Sequence, residues 1–280
     1  MSVPDYLLPV PEVGSFRHRL GLRPLDLKDW FVFDDDVPSI MASKADLMAR
    51  RPDDVMQVNS DTLAGCHELL ALVTANMATY HPGESAAATG SHPLARATSI
   101  VPDDLVLLDV VDPDVIIVAA SVCAPNRWKL GVKFATGMEH VHRPVPGYQS
   151  EIGELVNRTL SRLNVERPVW RSNWGITDSS AWFQPAALAI PKPITNQGAA
   201  ADRLHLRVER QTLRRLPDSG FVVFGIRTFQ CPLSAFSEMP AQAEAFRLAL
   251  AQLPDAMADY KKVLRARPLI DAWLSSCASR

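Results

Sequence analysis

Alternation of apolar and polar residues is sharpest between Leu204 and Phe229, where two runs flank one tight turn. Leu204, Leu206 and Val208 alternate with His205, Arg207 and Glu209, a period of two that predicts a half-buried strand. Pro217-Asp218-Ser219-Gly220 supplies the turn, because proline fixes φ and glycine tolerates φ > 0, and Phe221 to Phe229 returns as a more apolar strand. Pairing Leu216 with Phe221 sets Arg210 opposite Arg227 on one face and Glu209 opposite Thr228 on the other. Glu209 then shares its face with Arg207 and Gln211. Like charges directly opposite are destabilising. The register therefore predicts guanidinium groups that splay into solvent or grip one shared anion, a carboxylate or a phosphate.

The rest of the chain reads as helices and hairpins. Leu105 to Val111 and Val115 to Val122, separated by Asp112-Pro113-Asp114, predict a second hairpin, and the stretch from Val169 to Phe183 a third extended region. Ser43 is the expected N-cap of a short helix ending at Arg50, and Leu63, Cys66, Leu69, Leu70, Val73 and Met77 recur at helical spacing until His81-Pro82-Gly83. Ser150 is expected to cap a helix whose inner face is Ile152, Leu155, Val156, Leu160 and Leu163. Residues 83–99 and 184–203 read as loops. Residues 123–150 read as an irregular, Gly- and Pro-rich loop that carries His140, His142 and the stiff Arg143-Pro144-Val145-Pro146, an expected place for function. These elements predict an α+β fold in a single domain spanning 1–280, with an N-terminal arm over residues 1–40. Its C-terminal helices, residues 232–280, are broken at Pro240, Pro254 and Pro268.

Composition narrows the function. A 47% hydrophobic content over 280 residues suffices for a full core, and 29 basic against 31 acidic residues leave a net charge of −2, with no global pull toward nucleic acid or anionic membrane. The opening residues lack a basic segment followed by an apolar one, and the longest apolar run, Val115 to Ala124, is too short to span a bilayer, so a soluble cytoplasmic protein is expected. Cys66, Cys123, Cys231 and Cys277 are scattered without C-x-x-C spacing, which predicts reduced, buried thiols. Neither a G-x-S-x-G nucleophile elbow nor a Gly-rich phosphate loop occurs. His67 reads as a surface residue beside its helix's apolar stripe. His140-Val141-His142 on a strand would point two imidazoles one way, but a metal site of that kind needs a third ligand, and no partner motif exists. A single His suffices for haem iron, given an apolar slot and cations for the propionates.

Three stretches, RVERQTLRRLPDSGFVVFGIRTF, HRPVPGY and RSNWGI, resemble the haem-dependent oxidative N-demethylase family at its haem-binding α subunit, with weaker similarity at GLRPLD and over the Asn59 to Pro82 helix. The resemblance implies a PAS-like antiparallel sheet that holds haem b through a His. It further implies that O2 is activated to oxidise a methyl group of a small secondary amine such as dimethylamine, releasing formaldehyde. Carried over residue by residue, His142 is the expected iron ligand, with His140 as alternative. Arg171, Asn173, Trp174, Arg207, Arg210, Arg214 and Arg227 are expected at the cofactor. Glu209 and Gln211 are expected at the substrate, Glu209 meeting the ammonium and Trp174 or Trp182 the methyl groups. Phe229 stands where the family pattern has Tyr, and the chain contains no flavin or iron–sulfur domain, so electrons are expected from partner reductase subunits. A haem or small-ligand sensor without turnover is the alternative reading, and a structural subunit that has lost its cofactor is a third.

Overall fold

A computed structural model describes residues 3–12, 14–84, 87–111, 113–185 and 194–279. Residues 85–86, Asp112 and 186–193, parts of the predicted loops and of the second hairpin's turn, lie outside the described residues. Seven antiparallel strands form one sheet: β1 (Arg23–Pro24), β2 (Met56–Val58), β3 (Asp104–Val111), β4 (Asp114–Ser121), β5 (Val169–Thr177), β6 (His205–Arg215) and β7 (Val222–Pro232), in the order β1-β5-β6-β7-β3-β4-β2. With helices on both faces, the architecture is α+β.

The central hairpin has the register that its alternation predicts. Leu216 N–H donates to Phe221 O at 2.8 Å, Arg210 lies opposite Arg227, and Glu209 opposite Thr228. Because side chains alternate across a strand, β5–β7 present two chemically different faces. One carries Leu206, Val208 and Phe229 into a core with Phe246, Leu250, Ile270 and Leu274 of the C-terminal helices. That same face continues through Leu105, Leu107 and Val223 onto Leu69, Val73 and Met77 of the helix Leu63–Tyr80. The other face packs Val106, Leu108, Leu213 and Val222 against Leu130, Met138, Leu160 and Leu163. All four cysteines are buried. Among the described residues no helix is long and apolar enough to cross a membrane.

The facing arginines do not reach solvent, and the buried Asp103 carboxylate lies in the field of both, without a hydrogen bond to either. Arg210 (2% exposed) donates to the backbone carbonyls of Asp29 (2.5 Å) and Trp30 (3.2 Å). Arg227 (0% exposed) donates to the carbonyls of Val32 (3.2 Å) and Thr228 (2.5 Å) and pairs with the Asp34 carboxylate at 2.6 Å. Arg214 stacks its guanidinium over Trp30 at 4.5 Å. Residues 23–34 of the arm thus supply the oxygens that the hairpin's cations need, and the arm is part of the folded core.

Several elements differ from their sequence pattern. The helix expected from Ser43 begins at Val37 and runs to Arg50. Pro38 suits the first turn of a helix, and Val37, Ile40, Lys44 and Leu47 form its buried side, so Ser43 lies mid-helix. Residues 123–150 are not irregular throughout but contain the short helices Leu130–Lys133, Met138–His142 and Tyr148–Glu151. Ser150 belongs to the last of these and does not cap the next helix, Gly153–Ser161, in which Leu155 is exposed rather than inward.

Replacing Arg227 with Met removes the ion pair of Asp34, which keeps only the Asp36 N–H, and takes the Arg227 donors from the Val32 and Thr228 carbonyls. Stability is expected to fall by about 3 kcal/mol or more, the scale for breaking a buried pair, with tryptic cleavage of the arm between Arg17 and Lys28 becoming faster. Unchanged urea midpoint and unchanged cleavage would show that the arm is held by other contacts.

Candidate functional site

His142 ends the short helix Met138–His142, which is anchored by the buried Met138. Its Nδ1 lies 2.9 Å from the Met138 carbonyl oxygen. A carbonyl only accepts, so Nδ1 carries the proton and Nε2 keeps its lone pair. Burial, helped by the charges of Lys133 and Arg171 and opposed by the Met138 hydrogen bond, lowers the imidazole to about 4. Tyr148 stacks on the ring, with centroids 4.3 Å apart and planes 10° apart. His140 is exposed: the pair sits on a helix, where two positions turn the side chain through roughly 200°. The common direction expected on a strand is therefore lost. Among the described residues no group of three or more His, Cys, Asp or Glu is placed to hold a metal ion.

The sheet face toward this helix carries the second part of the site. Arg171 lies beside Gln211 and Asn173 beside Glu209 across β5 and β6. Gln211 Nε2 donates to the Glu209 carboxylate at 2.9 Å. These residues and His142 are half-buried, whereas Arg207, Thr228, Gln230 and Ile226 on the same face are closed off, so solvent reaches the sheet at this point. Two lysines join from elsewhere in the chain. Lys261 donates to Asn173 Oδ1 at 3.3 Å and to the Trp174 carbonyl, and lies 4.6 Å over the Trp174 indole. Lys133 lies 4.4 Å over Trp128. Burial pulls both ammonium groups down to about 8, against the opposing charge of Glu209. Burial also lowers Arg171, again opposed by Glu209, and its Nε is buried without a partner. Ala135 and Lys262 hold left-handed φ of 56° and 60° just past the caps of the helices Leu130–Lys133 and Asp255–Tyr260, where such a residue ends a helix.

The remaining expected residues lie apart. Arg207 shares the Glu209 face but is buried, donating to the carbonyls of Ala124 (2.6 Å) and Trp182 (3.3 Å), where it holds two loops together. Trp174 turns to the opposite face, edge-on to Phe246 at 5.3 Å, and Trp182 is buried, donating to Ser39 Oγ at 3.3 Å. Arg210, Arg214 and Arg227, expected at the cofactor, lie on the face away from Glu209 and are engaged with the arm. Phe229 also lies on that face, beneath the Arg227 guanidinium at 4.4 Å. Its departure from the Tyr pattern is therefore remote from His142. Lys133 and Lys261 lie outside every motif of the sequence, because an isolated Lys in a loop or helix end carries no signal of what it faces, while Tyr148 lies within HRPVPGY without a role of its own there.

Chemically, the arrangement combines one neutral imidazole with a free lone pair and three cations around a single carboxylate. The excess of positive charge suits a ligand bearing carboxylates, and the free Nε2 suits a metal within it.

The metal-free protein tests the His142 environment. An unfolded imidazole takes its proton near 6.5 and the folded one near 4, so unfolding binds a proton across that window. This contribution is level above 6.5 and makes the fold less stable as pH falls toward 4. Urea midpoints of the wild type and His142→Gln, compared over the window, should show a shallower acid decline in the variant. Parallel curves would mean that His142 is not held neutral by the fold.

Residues 83–270, which include the His142 helix, β5, the central hairpin and Lys261, match the model of a family described as haem-dependent oxidative N-demethylase, alpha subunit-like.

Proposed function

The chain belongs to that family, and on this premise we propose that it is a His-ligated haem oxygenase subunit that removes a methyl group from a small secondary amine such as dimethylamine, with electrons from partner reductase subunits. The observation that carries this reading is the neutral His142, its Nδ1 proton tied to Met138 and its Nε2 free, beside a surplus of cations on the open part of the sheet. These residues fit haem b: His142 would hold the iron through its free Nε2, and Lys133, Arg171 and Lys261 would hold the propionates. The unpartnered Nε of Arg171 is a donor that such a carboxylate would satisfy. When bound, the haem supplies O2 binding and the oxidising power.

The chain's own residues do the rest. A methylated amine is a cation near neutral pH, and Glu209 is the one carboxylate in β6. Glu209 receives the ammonium, and Gln211 fixes the carboxylate through its amide N–H. Asn173 and the Trp174 carbonyl orient Lys261, while Arg207 keeps the loops at Ala124 and Trp182 in place. The overall reaction consumes O2, two electrons and two protons. The N–CH3 group becomes N–CH2OH with release of water, and this carbinolamine loses formaldehyde as its hydroxyl proton returns to nitrogen.

An absorption spectrum of the purified protein, oxidised and then reduced under carbon monoxide, tests the haem assignment. The wild type is expected to show a Soret band, His142→Ala to lose or weaken it, and His140→Ala to keep it. A wild type that is colourless and takes up no haemin would sink the proposal. Formaldehyde release from dimethylamine with O2 and a surrogate reductase separates turnover from ligand sensing.

Glu209→Gln preserves shape and removes charge. It should leave the haem spectrum and thermal stability intact while weakening the amine-induced Soret shift by about 2 kcal/mol or more, the scale for truncating one partner of a buried charge pair. Lower stability with undiminished amine affinity would assign Glu209 to neutralising the nearby cations.

A further inference from the structure

Resting on the proposed ligand role of His142, we infer that Tyr148 is a positioning residue that clamps the imidazole face to face in the orientation that leaves Nε2 free. A hydrogen bond at Nδ1 pins one atom of the ring but still lets the plane tilt about that point. The Tyr148 ring, 4.3 Å away and within 10° of parallel, removes that freedom. Two contacts from different directions, a carbonyl at the edge and an aromatic face, together define the ring plane.

The chain is built to deliver this contact. Val145 N–H donates to the His142 carbonyl at 2.8 Å and Tyr148 N–H to the Val145 carbonyl at 3.2 Å, so the Pro144-Val145-Pro146-Gly147 segment folds straight back onto the helix end. Gly147 closes the turn at φ +76°, where a side chain is strained, and an added Cβ would lie 2.5 Å from Glu151 Oε1. His18 of the arm holds the turn from outside, its Nε2 2.7 Å from the Pro146 oxygen. Tyr148 itself is 6% exposed, and its hydroxyl is buried without a partner in the chain, so the ring and not the O–H makes the clamp. Phenylalanine should therefore replace it and leucine should not.

The test reads the imidazole directly in the metal-free protein by 1H and 15N resonance. In the wild type the His142 ring protons are expected upfield, under the tyrosine ring current, with a single Nδ1–H tautomer. Tyr148→Phe should keep both signatures. Tyr148→Leu should lose the upfield displacement and give mixed tautomers, and its haemin should dissociate faster by roughly 2- to 10-fold, the range for losing an aromatic pair. A wild type whose His142 protons lie at unstacked positions, or a folded Tyr148→Leu protein with the tautomer unchanged, overturns the clamp. If the leucine variant fails to fold, the wild-type and phenylalanine spectra decide. Failure of the haem assignment is separate: every variant then stays colourless with haemin, while the resonance signature still reports the stacking.

Discussion

The structure depends on how three arginines are accommodated inside a sheet. Arg210 and Arg227 face each other across the central hairpin, and both are buried. Burying cations is tolerable only when every donor finds an oxygen and some opposite charge is close. For Arg210 and Arg227 the arm meets that demand with the carbonyls of Asp29, Trp30 and Val32 and the carboxylate of Asp34, while Arg214 stacks over Trp30 and keeps its Nε without a partner. A second tie fixes the arm further back, where β1 pairs with β5 and His18 reaches the Pro146 carbonyl. The segment that looks least structured in the sequence is thus what allows the central hairpin to exist.

That solution separates two chemistries by the pleat of the sheet. One face of β6 and β7 spends its charge on architecture, with Arg210, Arg214 and Arg227 directed to the arm. The other keeps Glu209 and Gln211 beside Arg171 and Asn173, open to solvent and opposite His142. Here the charges are not closed off by the fold: Lys133, Arg171 and Lys261 surround one carboxylate, and burial destabilises all three cations. A cation surplus held partly out of water costs stability unless an anionic ligand offsets it.

Much of this was legible in the chain alone, and the reason is periodicity. Alternation in Leu204 to Glu209 and the turn at Pro217 to Gly220 determined the hairpin, its register and the pairing of Arg210 with Arg227, because a one-residue slip would turn every apolar side chain outward. The same alternation put Glu209 with Gln211. Motif resemblance singled out His142 and the family. What alternation cannot say is what lies over each face. Arg210 and Glu209 are neighbours in sequence, and only the packed arm makes one structural and leaves the other facing the site. His140 and His142 parted because the segment is helical, a choice made by local packing around Met138 that a Gly- and Pro-rich stretch does not announce. Lys133 and Lys261 are 128 positions apart and meet near Glu209 only through the fold. Sequence pattern records which residues share a face within one element. Which elements share a site is set by long-range packing, and that is decided by the tertiary structure alone.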